Sequence, residues 1–224
     1  MEALEQKEVN TYSLGPASNS APEQLVILLH GLGSNGRDLL GLAPVFGEAL
    51  PNAIFVSPDA PFLCDMVPMG GESYQWFSLQ DTSPESIMTG VLFAAPLVDE
   101  LIENLMAQYN IPADKTALVG FSQGTMMSLY AGPRTKSKLA GVLGYSGALA
   151  WESDTDFNAL NKIPVELIHG DADQVVSVEA YHQAKKVLEE AGFDVTGGVT
   201  EGLQHNIDEA GIVAGAEFLK RILS

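Results

Sequence analysis

A series of short apolar runs constrains this chain more than any other feature: QLVILLH (Gln24–His30), AIFVSP (Ala53–Pro58), TALVGF (Thr116–Phe121), LAGVLGYSG (Leu139–Gly147) and PVELIHG (Pro164–Gly170). Each has the length of a strand, and each is predominantly apolar rather than alternating. Such a run fits a strand covered on both faces, which is the environment of a parallel sheet. The segments between the runs carry helical spacing. RDLLGLAPVFGEAL reads as one helix despite Pro44. A long helix starts at Ser83-Pro84, where proline wastes no amide, and repeats apolar residues from Ile87 to Tyr109, with Pro96 expected to kink it. SQGTMMSLYAG and VEAYHQAKKVLEEAG read as helices, the second closed by Gly192. A strand near Asp194–Val199 and a helix from about Asn206 complete the pattern, with Lys220 and Arg221 suited to the helix end.

Alternating strands and helices predict a mostly parallel sheet with helices on both faces. The 224 residues suffice for one domain with a proper core, and residues 1–8 read as a frayed acidic tail. No apolar run approaches a membrane span, and no signal-peptide pattern is expected at the N-terminus. The single cysteine, Cys64, rules out an internal disulfide and fits a cytoplasmic setting. The net charge of −18, with no cluster of Lys or Arg, argues against nucleic acid and against anionic membrane surfaces. The expected partner is a small-molecule ester, without stable membrane insertion; the sequence leaves room for a homodimer.

In open α/β sheets, ligands bind beyond the carboxyl ends of strands. Ser122 stands there, in Gly120-Phe121-Ser122-Gln123-Gly124, where a strand hands over to a helix. A nucleophile on a sharp strand-to-helix turn points away from its own backbone. Glycines two residues before and after relieve the crowding. Of four histidines, only His205 combines a loop after a strand with a late position, in the order Ser…Asp…His. His30 reads as structural, His169 closes a strand, and His182 lies mid-helix facing solvent. Asp171 and Asp173 both sit where the orienting acid belongs; spacing favours Asp173 and leaves Asp171 open. Backbone amides of Gln123 and Leu32 are candidates for an oxyanion hole.

A competing motif overlaps the same loop. Gly31-Leu32-Gly33-Ser34-Asn35-Gly36 is formally G-x-G-x-x-G after a strand, with Asp59 after the next strand. A dinucleotide-binding protein is therefore the distant alternative, although it leaves Ser122, Asp173 and His205 unexplained.

Taken together, LLHGLGSNGRDLLGLAPVF, FVSPDAPF, QWFSL, ALVGFSQGTMM, GYSGAL, HGDADQVV and GLQHNID resemble the phospholipase/carboxylesterase family of α/β-hydrolases, which includes acyl-protein thioesterases. SPDAPF, QWFSL and GFSQGTMM look most like its bacterial carboxylesterase branch. The resemblance implies an α/β-hydrolase fold and a hydrolase without cofactor or metal. It carries Ser122 as nucleophile, Asp173 as acid, His205 as base, and the Leu32 and Gln123 amides as the oxyanion hole. Gln204 departs from the glycine usual before the histidine, and Ser177 from the usual proline.

The implied chemistry is hydrolysis of small to medium acyl esters through an acyl-enzyme, with lysophospholipids and thioesters as alternatives. Activity should rise with pH as His205 loses its proton. The stretch Gly147–Lys162 is too short for a large lid. Asp59–Gln75 could fold over the site as a flap, where Cys64 reads as an incidental thiol. Trp76 and Phe77 read either as core or as acyl-pocket lining, and Met66 and Met69 as adaptable apolar surface near the acyl group.

Overall fold

The computed structural model describes residues 9–66 and 72–224. In chain order the elements are β1 (Thr11–Leu14), β2 (Gln24–Leu29), α1 (Gly36–Leu40), α2 (Ala43–Ala49), β3 (Ala53–Pro58), β4 (Phe62–Leu63), β5 (Tyr74–Gln75), α3 (Pro84–Tyr109), β6 (Thr116–Phe121), α4 (Gln123–Ala131), β7 (Gly141–Tyr145), β8 (Val165–Gly170), α5 (Val178–Glu190), β9 (Val195–Thr200) and α6 (Glu209–Leu223). Seven strands form one sheet in the order β1-β3-β2-β6-β7-β8-β9. All neighbours are parallel except β1, which runs antiparallel along β3. This is the α/β-hydrolase arrangement of a mostly parallel sheet between helices.

The apolar runs form the centre because both faces of β2 are covered. Leu25, Ile27 and Leu29 pack with residues of α3, α4 and α5, including Val98, Met127 and Leu188. Val26 and Leu28 point the other way, into a core with Phe46 of α2 and Phe218 and Leu219 of α6. From β2 the chain moves outward to β3 on one side, then returns to lay β6, β7, β8 and β9 on the other. The direction therefore reverses between β2 and β6, where Leu29 is paired with Gly120. A crevice opens beyond the strand ends at such a switch point.

The helices differ from expectation in two places. RDLLGLAPVFGEAL is not one helix but α1 and α2, separated at Gly41-Leu42; Pro44 lies in the first turn of α2, where its missing amide costs nothing. The last helix starts at Glu209, because Asp208 caps it by accepting from the Gly211 amide. Helix α3 begins as expected: the Ser83 side chain accepts from the Ser86 amide. It continues through Pro96 and stops at Asn110, which turns left-handed at φ 54°. Among the described residues, no helix is long and apolar enough to cross a membrane. The 1–8 tail lies outside the described residues.

Candidate active site

The turn after β6 has the strain that the glycine pattern anticipates. Ser122 sits at φ 53° and ψ −115°, a conformation costly for any residue with a side chain. The fold holds it there from both sides. The Ser122 amide donates to the Tyr145 carbonyl at 2.9 Å, and the Ser122 carbonyl accepts from the Thr125 and Met126 amides at 3.0 and 3.2 Å. A Cβ on Gly120 would lie 2.5 Å from the Thr125 Cα, and one on Gly124 would lie 1.8 Å from the Leu29 carbonyl oxygen. The two glycines therefore let α4 double back tightly over β6 and β2. Helix α4 is buried from Gln123 to Ala131, so the elbow rests on a rigid support.

The loops after β8 and β9 bring Asp173 and His205 together. His205 Nδ1 donates to Asp173 Oδ2 at 2.7 Å. Asp173 Oδ1 accepts from the Val175 and Val176 amides at 2.8 and 2.9 Å. Burial alone would raise the Asp173 carboxyl, but the bonds from His205, Val176 and Val175 outweigh it and hold the group below the ordinary carboxylate value. Asp171 bonds elsewhere. Its Oδ1 accepts from the Gly202 amide at 2.6 Å, which ties the two loops to each other. Gly170 lets them meet, since a Cβ there would lie 2.0 Å from the Leu203 carbonyl oxygen. Gln204 points outward, exposed, so the residue before His205 has room for a side chain. Ser177 gives α5 no side-chain cap to its amides. The His205 ring lies against Phe121, centroids 4.9 Å apart, which sets the imidazole beside the residue preceding Ser122.

Sequence reasoning missed two side chains here. His169, 2% exposed, donates from Nε2 to the Val176 carbonyl at 2.8 Å and lies 3.4 Å from Asp173 Oδ2. It fastens the turn whose amides hold Asp173. Gln123 contributes more than its amide: Oε1 accepts from the Trp76 amide at 2.9 Å, and Nε2 donates to the Phe77 carbonyl at 2.8 Å. No periodicity or motif spacing signals either contact.

The amides of Leu32 and Gln123 have no hydrogen-bond partner among the described residues; the second is a first-turn amide of α4. Gly31 brings the Leu32 loop close, since a Cβ there would lie 3.2 Å from the Ser122 Cβ. His30 braces that loop. Its Nε2 accepts from the Ala60 amide at 2.9 Å, so Nδ1 carries the proton and donates to the Gly31 carbonyl at 2.7 Å. Burial pushes the His30 imidazole below its ordinary value, against the Gly31 bond, and the ring stays neutral.

The candidates for the acyl pocket separate. Trp76 and Phe77 are closed into the core, 2% and 1% exposed. Trp76 Nε1 donates to the His30 carbonyl at 2.9 Å, and Phe77 packs where a Cβ on Gly90 would be. Both back the loop, and most of each ring is covered by packing. Met66 is 55% exposed, and Met69 lies outside the described residues. The described part of the Asp59–Gln75 stretch is stitched down: β4 pairs with β5, and Tyr74 exchanges backbone bonds with Gly33 and Ser34 at 2.9 Å each.

The G-x-G-x-x-G alternative fails on its acid. Asp59, 2% exposed, accepts from the Gly36 amide at 2.9 Å and from Asn10 and Tyr12 at 3.1 and 3.2 Å. It is consumed in anchoring the loop and β1, and α1 is only five residues long.

A family model described as Phospholipase/Carboxylesterase matches residues 16–223. The chain belongs to the phospholipase/carboxylesterase family. Among its relatives, esterase YpfH of Escherichia coli is 29% identical over 199 residues, covering 88% of this chain and 82% of that protein. Acyl-protein thioesterase 1 of Schizosaccharomyces pombe is 31% identical over 206 residues, covering 88% and 90%. The crystal structure of esterase PE8 superposes with a TM-score of 0.88 at 35% identity, covering 97% of this chain and all of that one. Family membership removes the dinucleotide-binding alternative.

Proposed function

We propose that the chain is a serine carboxylesterase in which Ser122 attacks the ester carbonyl, His205 takes the Ser122 proton, and Asp173 orients the imidazole. The observation that carries this reading is the 2.7 Å bond from His205 Nδ1 to Asp173, with the ring resting on Phe121 beside the strained Ser122. That bond fixes the tautomer whose Nε2 is free to accept a proton. The amides of Leu32 and Gln123 stabilise the oxyanion, one such donor being worth about 10²–10³ in rate. Water then repeats the sequence on the acyl-enzyme. Substrates are small to medium acyl esters, acted on in the cytoplasm. A second reading, thioester hydrolysis by the same groups, is favoured by the likeness to the Schizosaccharomyces pombe acyl-protein thioesterase 1.

The test is intact-mass labelling with a fluorophosphonate, alongside turnover of p-nitrophenyl esters of increasing chain length. The wild type should take one adduct and Ser122→Ala none. Turnover should collapse in both Ser122→Ala and His205→Ala. Adduct and turnover surviving in Ser122→Ala would overturn the assignment. Matched oxygen and sulfur esters of one acyl group then separate the two readings.

A further inference from the structure

Next to these residues lies a cleft of about 300 Å³, between the loop after β2, the α1–α2 junction and the His205 loop. Gly31, Leu42 and Phe121 line it together with the polar Ser34, Asp38 and Asn206. A Cβ added to Gly31 would lie 3.2 Å from the Ser122 Cβ, and the Phe121 ring lies 4.9 Å from that of His205, centroid to centroid. The cleft is lined by Phe121, which precedes Ser122, and by Asn206, which follows His205, so it lies beside the imidazole side of that pair. That side has a definite meaning in acyl transfer. The imidazolium that has taken the Ser122 proton must hand it to the departing oxygen, so the leaving group lies on the imidazole side.

The lining narrows the chemistry. Asp38 Oδ2 accepts from the Ser34 hydroxyl at 3.0 Å and from Asn35 Nδ2 at 3.1 Å. No cation pairs with it among the described residues: the adjacent Arg37 reaches instead to Glu72 at 4.0 Å and over the Tyr12 ring at 4.8 Å. The cleft thus combines the apolar Leu39, Leu42 and Phe121 with one carboxylate that no cation compensates among the described residues. Its volume is at the lower end for small-molecule sites.

We propose that this cleft is the leaving-group subsite, and that it takes a small alcohol, uncharged or bearing an ammonium group, while Asp38 disfavours anionic alcohols. The assignment rests on the Ser122–Asp173–His205 reading. In the step concerned, Ser122 Oγ bonds to the carbonyl carbon and the bond from that carbon to the alkoxy oxygen breaks. The proton from Ser122 passes through His205 to the alkoxy oxygen, and the neutral hydroxyl of the alcohol departs through the cleft. Water enters the same side: its oxygen bonds to the acyl carbon as its proton passes to His205, the bond from that carbon to Ser122 Oγ breaks, and His205 returns the proton to Ser122 Oγ as the acid leaves.

The experiment holds the acyl group at butyrate and varies the alcohol: ethanol, 3,3-dimethylbutan-1-ol, its ammonium isostere 2-(trimethylammonio)ethanol, and 3-hydroxypropane-1-sulfonate. Rates are normalised to the fraction of enzyme titrated by fluorophosphonate, so misfolded protein does not count. In Asp38→Asn, the ratio of kcat/KM for the ammonium ester to that for the sulfonate ester should fall about threefold, as expected for an exposed charge. In Leu42→Trp, the ratio for the dimethylbutyl ester to the ethyl ester should fall about tenfold, and Leu42→Ala should not lower it. Unchanged ratios in both Asp38→Asn and Leu42→Trp would overturn the subsite. Turnover persisting in Ser122→Ala would instead overturn the reading on which it rests.

Discussion

At Gly124 an added Cβ would lie 1.8 Å from the Leu29 carbonyl oxygen, well inside contact distance, and both partners are backbone in the core. Neither β2 nor α4 can retreat without disturbing packing on the sheet. Gly124→Ala should therefore cost several kcal/mol, seen as a large drop in melting temperature or loss of soluble protein. Gly198 in β9 has nothing within 4 Å, so Gly198→Ala is the control and should barely move the melt. Equal melts for the two variants would contradict the close packing of the elbow. Asp173 makes a different prediction. Burial raises its carboxyl, but bonds from His205, Val176 and Val175 win and lower it. A lowered folded-state value means stability that is present above the ordinary carboxylate value and lost as pH falls through the folded one. Asp173→Asn should lower stability at pH 7 by about 2 kcal/mol, the scale of a hydrogen bond to a charged group. That deficit should shrink in acid, measured by urea unfolding at both pH values. The proposed role adds a fall in kcat of about 10⁴, as the equivalent change gives in a serine protease. A deficit independent of pH would show that the carboxylate charge is not what the site holds.

At the scale of elements, α3 carries a conflict. Asp99 Oδ1 is buried with no partner among the described residues, and burial, then the nearby Glu103, raises the carboxyl above its ordinary value. Here the sign reverses: ionisation penalises the folded state, so the cost appears as pH rises through the raised value and is absent below the ordinary one. Asp99→Asn should raise stability at pH 7 by about 1 kcal/mol, or about 2–4 °C in melting temperature, and change nothing near pH 3. A lower melt at pH 7 would mean that α3 needs the charge.

Elements divide just as plainly in how far the sequence displays them. β2, β3, β6, β7 and β8 were legible because burial on both faces leaves an unbroken apolar run. β1 was not: TYSL is mostly exposed and becomes a strand only by pairing with the edge of β3. The α1–α2 break was hidden because apolar spacing runs through it, while Gly41 and Pro44 decide it locally. In the site, the glycines flanking Ser122 were legible because their cause lies within five residues. The side-chain bonds of Gln123 to Trp76 and Phe77 join residues 47 and 46 positions apart, and only the folded structure brings those groups together.

Across the whole molecule, 29 acidic residues face 11 basic ones. Several of the basic side chains are already paired with a carboxylate, such as Arg134 with Glu152, Lys136 with Glu103 and Lys186 with Glu190. The exposed pairs, Lys136 with Glu103 and Lys186 with Glu190, contribute about 0–1 kcal/mol each and leave most carboxylates facing one another across solvent. A surface of one sign raises the free energy of the compact state, because unfolding moves the charges apart. Screening relieves this at a known range: the Debye length falls from about 30 Å at 0.01 M salt to about 10 Å at 0.1 M. At the first distance charges well separated on the surface still repel, and at the second mainly near neighbours do. Raising sodium chloride across that interval at neutral pH should therefore stabilise the protein, lifting the melting temperature by about 2–4 °C for each kcal/mol relieved. Scanning calorimetry at the two salt concentrations checks it. A melt that stays flat or falls would mean that the few cations are placed so well that local pairing, not net charge, governs the stability of the surface.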